Sequence, residues 1–466
     1  MRVAFNKINI TPKNYKGMPL AGYTRKSTCT GKFDDIHAHG VLIDGNDKLE
    51  GKNTLLLISL DLLKIPISIS KYIRNKIIER HPELDFNNII IHAIHTHAAF
   101  DLTGEFHWPG GLFSVMRGIM FGANRNDEYI VWMSNQIVKM VDNLFVSLEP
   151  CEFSWTIEEF NPDIVINRRH PSWRSKPNLG IIAFKKPDSR EIMGVIINYA
   201  CHPTTLSFKN FKVSADYPGQ LLKEIETRTN NKIKAIFFNG PSGDLNPITT
   251  CGIDYEALEE DKNKIYDQLG TYEDTQRIGK IIANEVLELA SKILDNKFYD
   301  EINLDTYVRE FWVPFKDYRY FSRTWFNNKL FFWIKKYLLM NVGKYNISSA
   351  NFPIFNLDKN LRKSRTKTLI QFIKITANKN GERKDLGIAC VPGELFEDIG
   401  KAILEHSVVG KENTFIFQNS QDWIAYLFPM NEYIEVGGYE PLPSFSPLAG
   451  LIIENKMISL FKEIKS

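Results

Sequence analysis

The chain has 466 residues, of which 43% are hydrophobic and 24% are charged, and its formal net charge is +3. This length suits two or three domains, or one large enzyme domain with insertions, and the composition is typical of a globular protein. So small a net charge argues against a dedicated nucleic-acid binder, which carries a strong basic excess.

Five widely spaced cysteines form no CxxC pair, so we predict buried free thiols rather than a disulfide framework or a thiolate zinc site. The N-terminus, MRVAFNKINITP, has no charged segment followed by an apolar run, as a secretion signal would have. No stretch approaches the ~18 apolar residues of a membrane span. The sequence therefore predicts a reduced, cytoplasmic compartment.

Short runs rich in Ile, Val, Leu and Phe recur and end in polar turns with Gly or Pro, which is typical of buried strands. These runs cover 55–63, 88–100, 192–206, 233–247, 386–396 and 414–426. Between several of them, apolar residues recur every three or four positions, which predicts helices at 67–81, 126–145 and 275–294. The alternation predicts an α/β fold, a mixed β-sheet core covered by helices, as one domain over 1–466.

Residues 318–340 interleave aromatic and basic side chains, and we place an insertion at about 316–345. One interpretation is a helix packed on the core with a solvated basic edge. The other is a lid over an apolar substrate, or an element in peripheral contact with a membrane. The sequence leaves both open.

The segment His95-Thr96-His97 follows the apolar run that includes Ile89. On a strand, both imidazoles would point to the same face, because side chains repeat every two residues. Two imidazoles on one face at a strand end favour a metal site, although paired histidines also occur as hydrogen-bonded core groups.

Two further residues could complete such a site. His202 ends a buried run and precedes Pro203, and Glu394 follows the turn Pro392-Gly393. A buried carboxylate needs a cation or an arginine, unless Glu394 belongs to the first turn of a following helix. Two histidines and a glutamate around an open fourth position are a standard catalytic zinc set.

The turn at 240–247 is glycine-rich and follows a strand-like run. Its backbone N–H groups could hold a developing oxyanion or anchor the turn itself. Ser242 invites interpretation as a nucleophile, but its spacing is not that of GxSxG.

The order of these motifs resembles the N-terminal catalytic domain of neutral ceramidases, zinc amidases that cleave the N-acyl bond of ceramide. The matching segments are HTH, NYACHPT, GDxxP, PGE and a run containing a tyrosine. Further matches are Ile10-Thr11-Pro12, Gly17-Met18, Gly22-Tyr23, Asn167-Arg168, Asp216 with Gly219, and Tyr433 followed by Gly438-Tyr439-Glu440. The resemblance spans about residues 5–455.

This resemblance implies one zinc ion with four protein ligands, which are His95, His202, Glu394 and Tyr426. It also implies that His97 lies near the metal, that Arg168 contacts the pocket, and that Asp244 lies in the turn beneath the site. The implied substrate is an acylated small molecule or a lipid amide. Zinc would activate a water, His97 would serve as general acid or base, and Asn246 with N–H groups near Gly243 would stabilise the oxyanion.

Two departures from the family pattern leave alternatives. Asn246 stands where the family has a catalytic serine, and the continuation after His97 is Ala98-Ala99-Phe100 rather than Ser-Gly. The sequence therefore also allows an esterase or a sugar deacetylase on the same scaffold, or a non-catalytic relative that only binds.

Overall fold

The computed structural model describes residues 1–23, 25–45, 53–104, 106, 125–249, 270–314, 365–432, 440 and 443–466. The segment 318–340, Tyr433 and Cys251 lie outside these residues, as do Gly438 and Tyr439. The lid and membrane contact therefore stay predictions. The other four cysteines are buried free thiols, as predicted.

The strands follow one another along nearly the whole described chain. In chain order they are β1 (Arg2–Asn9), β2 (Gly31–Lys32), β3 (His37–Asp44), β4 (Thr54–Leu60), β5 (Ile89–Ala93), β6 (Glu149–Pro150), β7 (Glu152–Glu159), β8 (Val165–Asn167), β9 (Asn178–Lys185), β10 (Ile192–Tyr199), β11 (Lys212–Val213), β12 (Lys234–Asn239), β13 (Leu245–Pro247), β14 (Glu301–Pro314), β15 (Arg365–Lys379), β16 (Glu382–Cys390), β17 (Glu394–Leu395), β18 (Thr414–Phe417) and β19 (Tyr426–Leu427).

The α-helices of the described residues are α1 (Ile67–Arg80), α2 (Asp127–Val146), α3 (Asp216–Arg228), α4 (Tyr272–Lys292), α5 (Glu397–Glu405) and α6 (Ala449–Lys465). Of these, α1, α2 and α4 confirm the three helices predicted from apolar periodicity. A capping box at Thr271 and Asp274 begins α4, which satisfies N–H groups that the first turn leaves free. None of the helices in the described ranges is long and apolar enough to cross a membrane.

The predicted α/β class is confirmed, but the strands form several sheets rather than one. Among the described residues the larger sheets have the orders β5-β4-β3-β1-β6, β12-β10-β9-β7 and β14-β15-β16-β18. Each mixes parallel and antiparallel pairs. Apolar runs predict that a strand is buried, but they do not specify its partner, so the division into sheets could not be predicted.

The core has an inner part in which the three sheets pack directly on one another. It includes Leu57 of β4, Ile236 and Phe238 of β12, and Phe417 of β18. The rings of Phe238 and Phe417 stack with centroids 4.1 Å apart. Helical residues such as Met140 of α2 belong to a second cluster on the outer side. The helices therefore cover a stack of sheets.

The strands β14 and β15 form a long antiparallel pair, from Glu301 opposite Asn378 to Pro314 opposite Arg365. Residues 315–364 connect these two paired strands and lie outside the described residues. The insertion predicted at about 316–345 falls within this connection.

The parallel strand pairs determine where the candidate site lies. β4 with β5, β10 with β12, and β16 with β18 are parallel, so the carboxyl ends of each pair share an edge. His95 follows β5, His202 follows β10, and Glu394 follows β16. The fold thereby brings together three residues that are far apart in sequence.

Candidate metal centre

His95 lies in the loop after β5 and not on the strand, because β5 ends at Ala93. The prediction that a strand presents His95 and His97 was therefore wrong. His95 has a φ of +70°, which is uncommon for any residue except glycine. Its N–H donates to Leu62 O at 2.9 Å, and its Nδ1 lies 2.7 Å from Leu63 O. A carbonyl only accepts, so Nδ1 carries the proton and the lone pair of Nε2 faces the site.

His202 is held in the same manner by the turn after β12. Its Nδ1 lies 3.0 Å from the carbonyl of Ser242, and its backbone N–H donates to Leu245 O at 2.8 Å. The Nδ1 proton therefore points to the scaffold and the Nε2 lone pair is available. Both histidines have the tautomer that a metal ligand needs.

Glu394 faces both imidazoles. Its Oε2 lies 3.2 Å from His95 Nε2 and 3.7 Å from His202 Nε2. Its Oε1 accepts a hydrogen bond from Trp423 Nε1 at 3.1 Å. Burial raises the pKa of Glu394, whereas positive charge on the imidazoles, when they are protonated, and on Arg168 lowers it to about 2, so the side chain is a carboxylate.

The alternative interpretation of Glu394 as a first-turn helix residue was wrong, because α5 begins at Glu397. Trp423, which donates to Glu394, was not found by sequence reasoning. A lone tryptophan in a run that reads as a buried strand carries no signal of such a contact.

Buried polar atoms without a partner show what this arrangement can bind. Nε2 of His95, Nε2 of His202 and Oε2 of Glu394 are buried and have no hydrogen-bond partner. Such atoms cost about 1–3 kcal/mol each when they stay unpaired. Ligand atoms bonded at about 2.0–2.1 Å to a tetrahedral ion lie about 3.4 Å apart. The observed separations of 3.2 and 3.7 Å bracket that value, so the donors fit a divalent ion such as zinc.

His97 lies beside the other two imidazoles. A nitrogen atom of each of His95, His97 and His202 lies within 4.8 Å of the others. Neither ring nitrogen of His97 has a hydrogen-bond partner. Burial and the neighbouring imidazoles lower its pKa well below the ordinary value, so the ring is neutral. The geometry is compatible with His97 as a proton acceptor and also as a metal ligand.

Gly22 makes room for His97. A Cβ at Gly22 would lie 2.4 Å from the His97 ring, and φ is +90° there. The next residue, Tyr23, packs its ring on His97 with centroids 4.6 Å apart. A glycine at position 22 is therefore a steric requirement of the site, and Tyr23 packs against the ring that this glycine accommodates.

Tyr426 lies next to Glu394 because β19 pairs with β17 in register. The residue is 5% exposed, and its ring lies 5.4 Å from the guanidinium carbon of Arg168. This position adjoins the unpartnered donors. Its role as the fourth ligand stays a prediction.

Arg168 organises the other side of the site. It donates from Nη1 to Asn246 Oδ1 at 2.9 Å, from Nη2 to Gly243 O at 2.6 Å, and from Nε to Glu440 Oε1 at 3.0 Å. A guanidinium only donates, so the oxygen of the Asn246 amide must face Arg168. The Asn246 NH₂ group is thereby directed elsewhere as a donor.

Asp244 lies in the turn that follows β12. Its carboxylate accepts from Asn167 Nδ2 at 2.8 Å and from the N–H of Glu397 at 2.9 Å. Burial raises its pKa to about 7. Asp244 therefore joins the turn to the start of α5, and the contacts described place it as a positioning residue.

The N–H groups of the turn at 240–247 were predicted to help stabilise an oxyanion, and at Gly243 this prediction was wrong. The Gly243 N–H donates to Leu395 O at 2.7 Å, so it is not available to an oxyanion. Ser242 is fully buried, and its Oγ accepts from Gln418 Nε2 at 2.7 Å. These groups hold the turn in place, and a nucleophilic role for Ser242 has no support.

Arg169 forms a second, unpredicted network beside Arg168. It donates to Glu432 Oε2 at 2.9 Å and to Glu440 Oε2 at 2.7 Å. The two arginines thus bind the two oxygens of Glu440. The only signal in the sequence is the consecutive pair of arginines.

No model of a protein family matches this chain, and no curated protein matches it. Solved structures do match. A crystal structure of neutral ceramidase from Pseudomonas aeruginosa has a TM-score of 0.71 at 15% identity, covering 100% of this chain and 74% of that one. The chain has the ceramidase fold. A ceramidase complexed with C2 gives a TM-score of 0.69 at 15% identity, covering 100% of this chain and 75% of that one.

The ceramidase fold thus accommodates the whole chain, including the three strand ends that carry His95, His202 and Glu394. Identity this low leaves the reaction and the ligands to be argued from the residues themselves.

Proposed function

We propose that this chain is a zinc-dependent hydrolase that cleaves an N-acyl amide bond, with His95, His202, Glu394 and Tyr426 as the metal ligands. The observation that carries the proposal is the set of buried donor atoms on His95, His202 and Glu394 that lack hydrogen-bond partners. The ceramidase fold supports the amide as the bond that is cleaved.

A zinc ion bound there would polarise the acyl carbonyl and lower the pKa of a water molecule towards ~7. The protein's own part begins with His97. Its ring is neutral, and both nitrogens lack a partner, so it can accept a proton from the attacking water. The same ring can then deliver that proton to the leaving amine.

Asn246 supplies the oxyanion donor in this proposal. Arg168 fixes the amide oxygen, which leaves the Nδ2 hydrogens to stabilise negative charge on the acyl oxygen. An amide can fill this role although it cannot replace a serine as nucleophile. Because the Gly243 N–H already donates to Leu395 O, the Asn246 side chain is the principal candidate for the oxyanion donor.

The proposed substrate class is an N-acylated lipid or small molecule. The similar structures are ceramidases, which makes a lipid amide the first candidate. The aromatic and basic segment 318–340 would then act as a lid or a peripheral membrane contact.

Metal counting combined with a panel of acyl donors tests the function. We expect wild-type protein to bind zinc, to lose hydrolysis with chelator, and to prefer N-acyl over O-acyl substrates. His95→Ala should lose an ion and activity together, whereas His406→Ala, on the exposed end of α5, should change neither. Preference for O-acyl donors would indicate an esterase or a sugar deacetylase. Full zinc occupancy in His95→Ala would overturn the ligand assignment, and zinc binding without any hydrolysis would indicate a binding module.

A further inference from the structure

A second group of metal-binding side chains lies at the start of β3, which we call the β3 cluster: His37, His39 and Asp61. The two histidines are two residues apart on β3 and share a face. Asp61 directly follows β4, which pairs with β3 through Ala38 opposite Leu60. One ligand atom from each member lies within 4.8 Å of the others.

We propose that the β3 cluster is a second divalent-cation site, of the class that takes Zn²⁺. His39 Nε2 lies 3.4 Å from Asp61 Oδ2, and His37 Nδ1 lies 3.9 Å from the same oxygen. The first distance equals the separation of about 3.4 Å expected for two ligands of a tetrahedral ion. Two imidazoles and a carboxylate suit zinc and related transition ions.

Burial and access both favour a bound cation. The side chain of Asp61 is 2% exposed, whereas that of His37 is 28% exposed, so an ion can enter from the His37 side. Among the described residues, the ion pairs of Asp61 are with these two histidines and not with a lysine or arginine. A buried carboxylate without a permanent positive partner is costly, and a metal ion would remove that cost.

A neighbouring carboxylate adds to the negative potential at the β3 cluster. Burial, together with a smaller contribution from the charge of Asp61, raises the pKa of Asp34 to about 6. A divalent cation at the cluster would relieve this repulsion. The alternative, a histidine–aspartate hydrogen-bond pair without metal, is an outcome of the test below.

The β3 cluster is linked to His95 through three consecutive residues. Asp61 forms two hydrogen bonds with the backbone of His37. The Asp61 N–H donates to His37 O at 2.9 Å, and the side-chain Oδ2 of Asp61 accepts from the His37 N–H at 2.8 Å. The next two carbonyls, of Leu62 and Leu63, bind the N–H and Nδ1 of His95. A cation on Asp61 would therefore stabilise the segment that holds His95 in its left-handed conformation.

Zinc stoichiometry after gel filtration separates the two sites. We expect about two ions per chain in wild type, about one in Asp61→Asn or His39→Ala, and about one in His95→Ala. Combining Asp61→Asn with His95→Ala should leave about zero, and His406→Ala should keep about two. Equal stoichiometry in wild type and Asp61→Asn would overturn this inference. Failure of the proposed function would appear separately, as full occupancy in His95→Ala.

A second measurement guards against misfolding of the buried variants. His37→Gln changes the most exposed member, so the fold should tolerate it, as circular dichroism can check. Cobalt titration should give two absorbing species in wild type and one in His37→Gln. Added zinc should raise the melting temperature of His95→Ala but not that of His95→Ala with Asp61→Asn. An identical cobalt spectrum in wild type and His37→Gln would contradict the second site.

Discussion

The imidazole side of the site, with His95, His202 and Glu394, differs from the arginine side, with Arg168 and Asn246. On the imidazole side each residue uses one polar atom to bind the scaffold and leaves another buried atom unpartnered. On the arginine side the guanidinium contacts acceptors with all three nitrogens. Buried polar atoms without a partner therefore identify where a ligand binds, and polar groups whose hydrogen bonds are all made identify the side chains that orient the site.

The largest effect should come from the imidazole side. His202→Ala removes a proposed metal ligand and should lower kcat by at least about 10³-fold, since the Lewis-acid contribution of several kcal/mol that the proposed zinc would make is then lost. Zinc analysis and a hydrolysis assay measure both consequences. His406→Ala is the matched histidine control. An active His202→Ala enzyme without bound metal would mean that the unpaired atoms do not mark a metal site.

Asn246 tests whether the arginine side acts by orienting one donor. Asn246→Asp keeps an oxygen for Arg168 but loses the NH₂ donor, so kcat should fall about 10²–10³-fold. KM and zinc content should stay near wild type. Asn246→Ala removes both functions and should be no more active. Unchanged kcat in Asn246→Asp would assign the oxyanion donor to another group.

Replacing Arg168 should have a smaller effect, because it acts through Asn246 and the turn. Arg168→Lys keeps the charge but cannot contact Asn246, Gly243 and Glu440 together, so we expect a loss of about 10–100-fold in kcat. A double variant with Asn246→Ala should lose little more than Asn246→Ala alone. Fully additive losses would show that the two residues act independently.

The sequence predicted local structure and residue types better than contacts. The helices at 67–81, 126–145 and 275–294 followed from apolar periodicity and are confirmed. The histidine loop was placed on a strand, because the left-handed φ of His95 depends on carbonyls more than thirty residues away in sequence.

Long-range contacts explain the other gaps. Gln418 binds Ser242, and Trp423 binds Glu394, across distances in the sequence that no local pattern reports. Tyr426 and Arg168 were predicted as site residues only through the resemblance to ceramidases. Residue periodicity therefore predicts elements, whereas a site assembled from several loops requires the fold or a relative.

The smallest effect should come from replacing Asp422, the residue before Trp423, and should alter only the free energy of unfolding. Its carboxylate accepts from the N–H of Ile67 at 2.9 Å, the N–H of Trp423 at 2.7 Å and the hydroxyl of Thr368 at 2.7 Å. Burial raises its pKa to about 6. The folded state therefore binds this proton more tightly than the unfolded state, whose aspartate pKa is about 3.9. This contribution to stability is complete below about pH 4 and is lost as the pH rises to about 6.

Asp422→Asn should remove that pH dependence while it keeps the contacts, because its oxygen can accept both N–H groups and its NH₂ can donate to Thr368. The free energy of unfolding of wild type should therefore fall relative to the variant between pH 4 and pH 6, by about 2 kcal/mol. Urea titrations at these pH values measure the difference. A constant difference would mean that Asp422 stays ionised in the fold over this pH range.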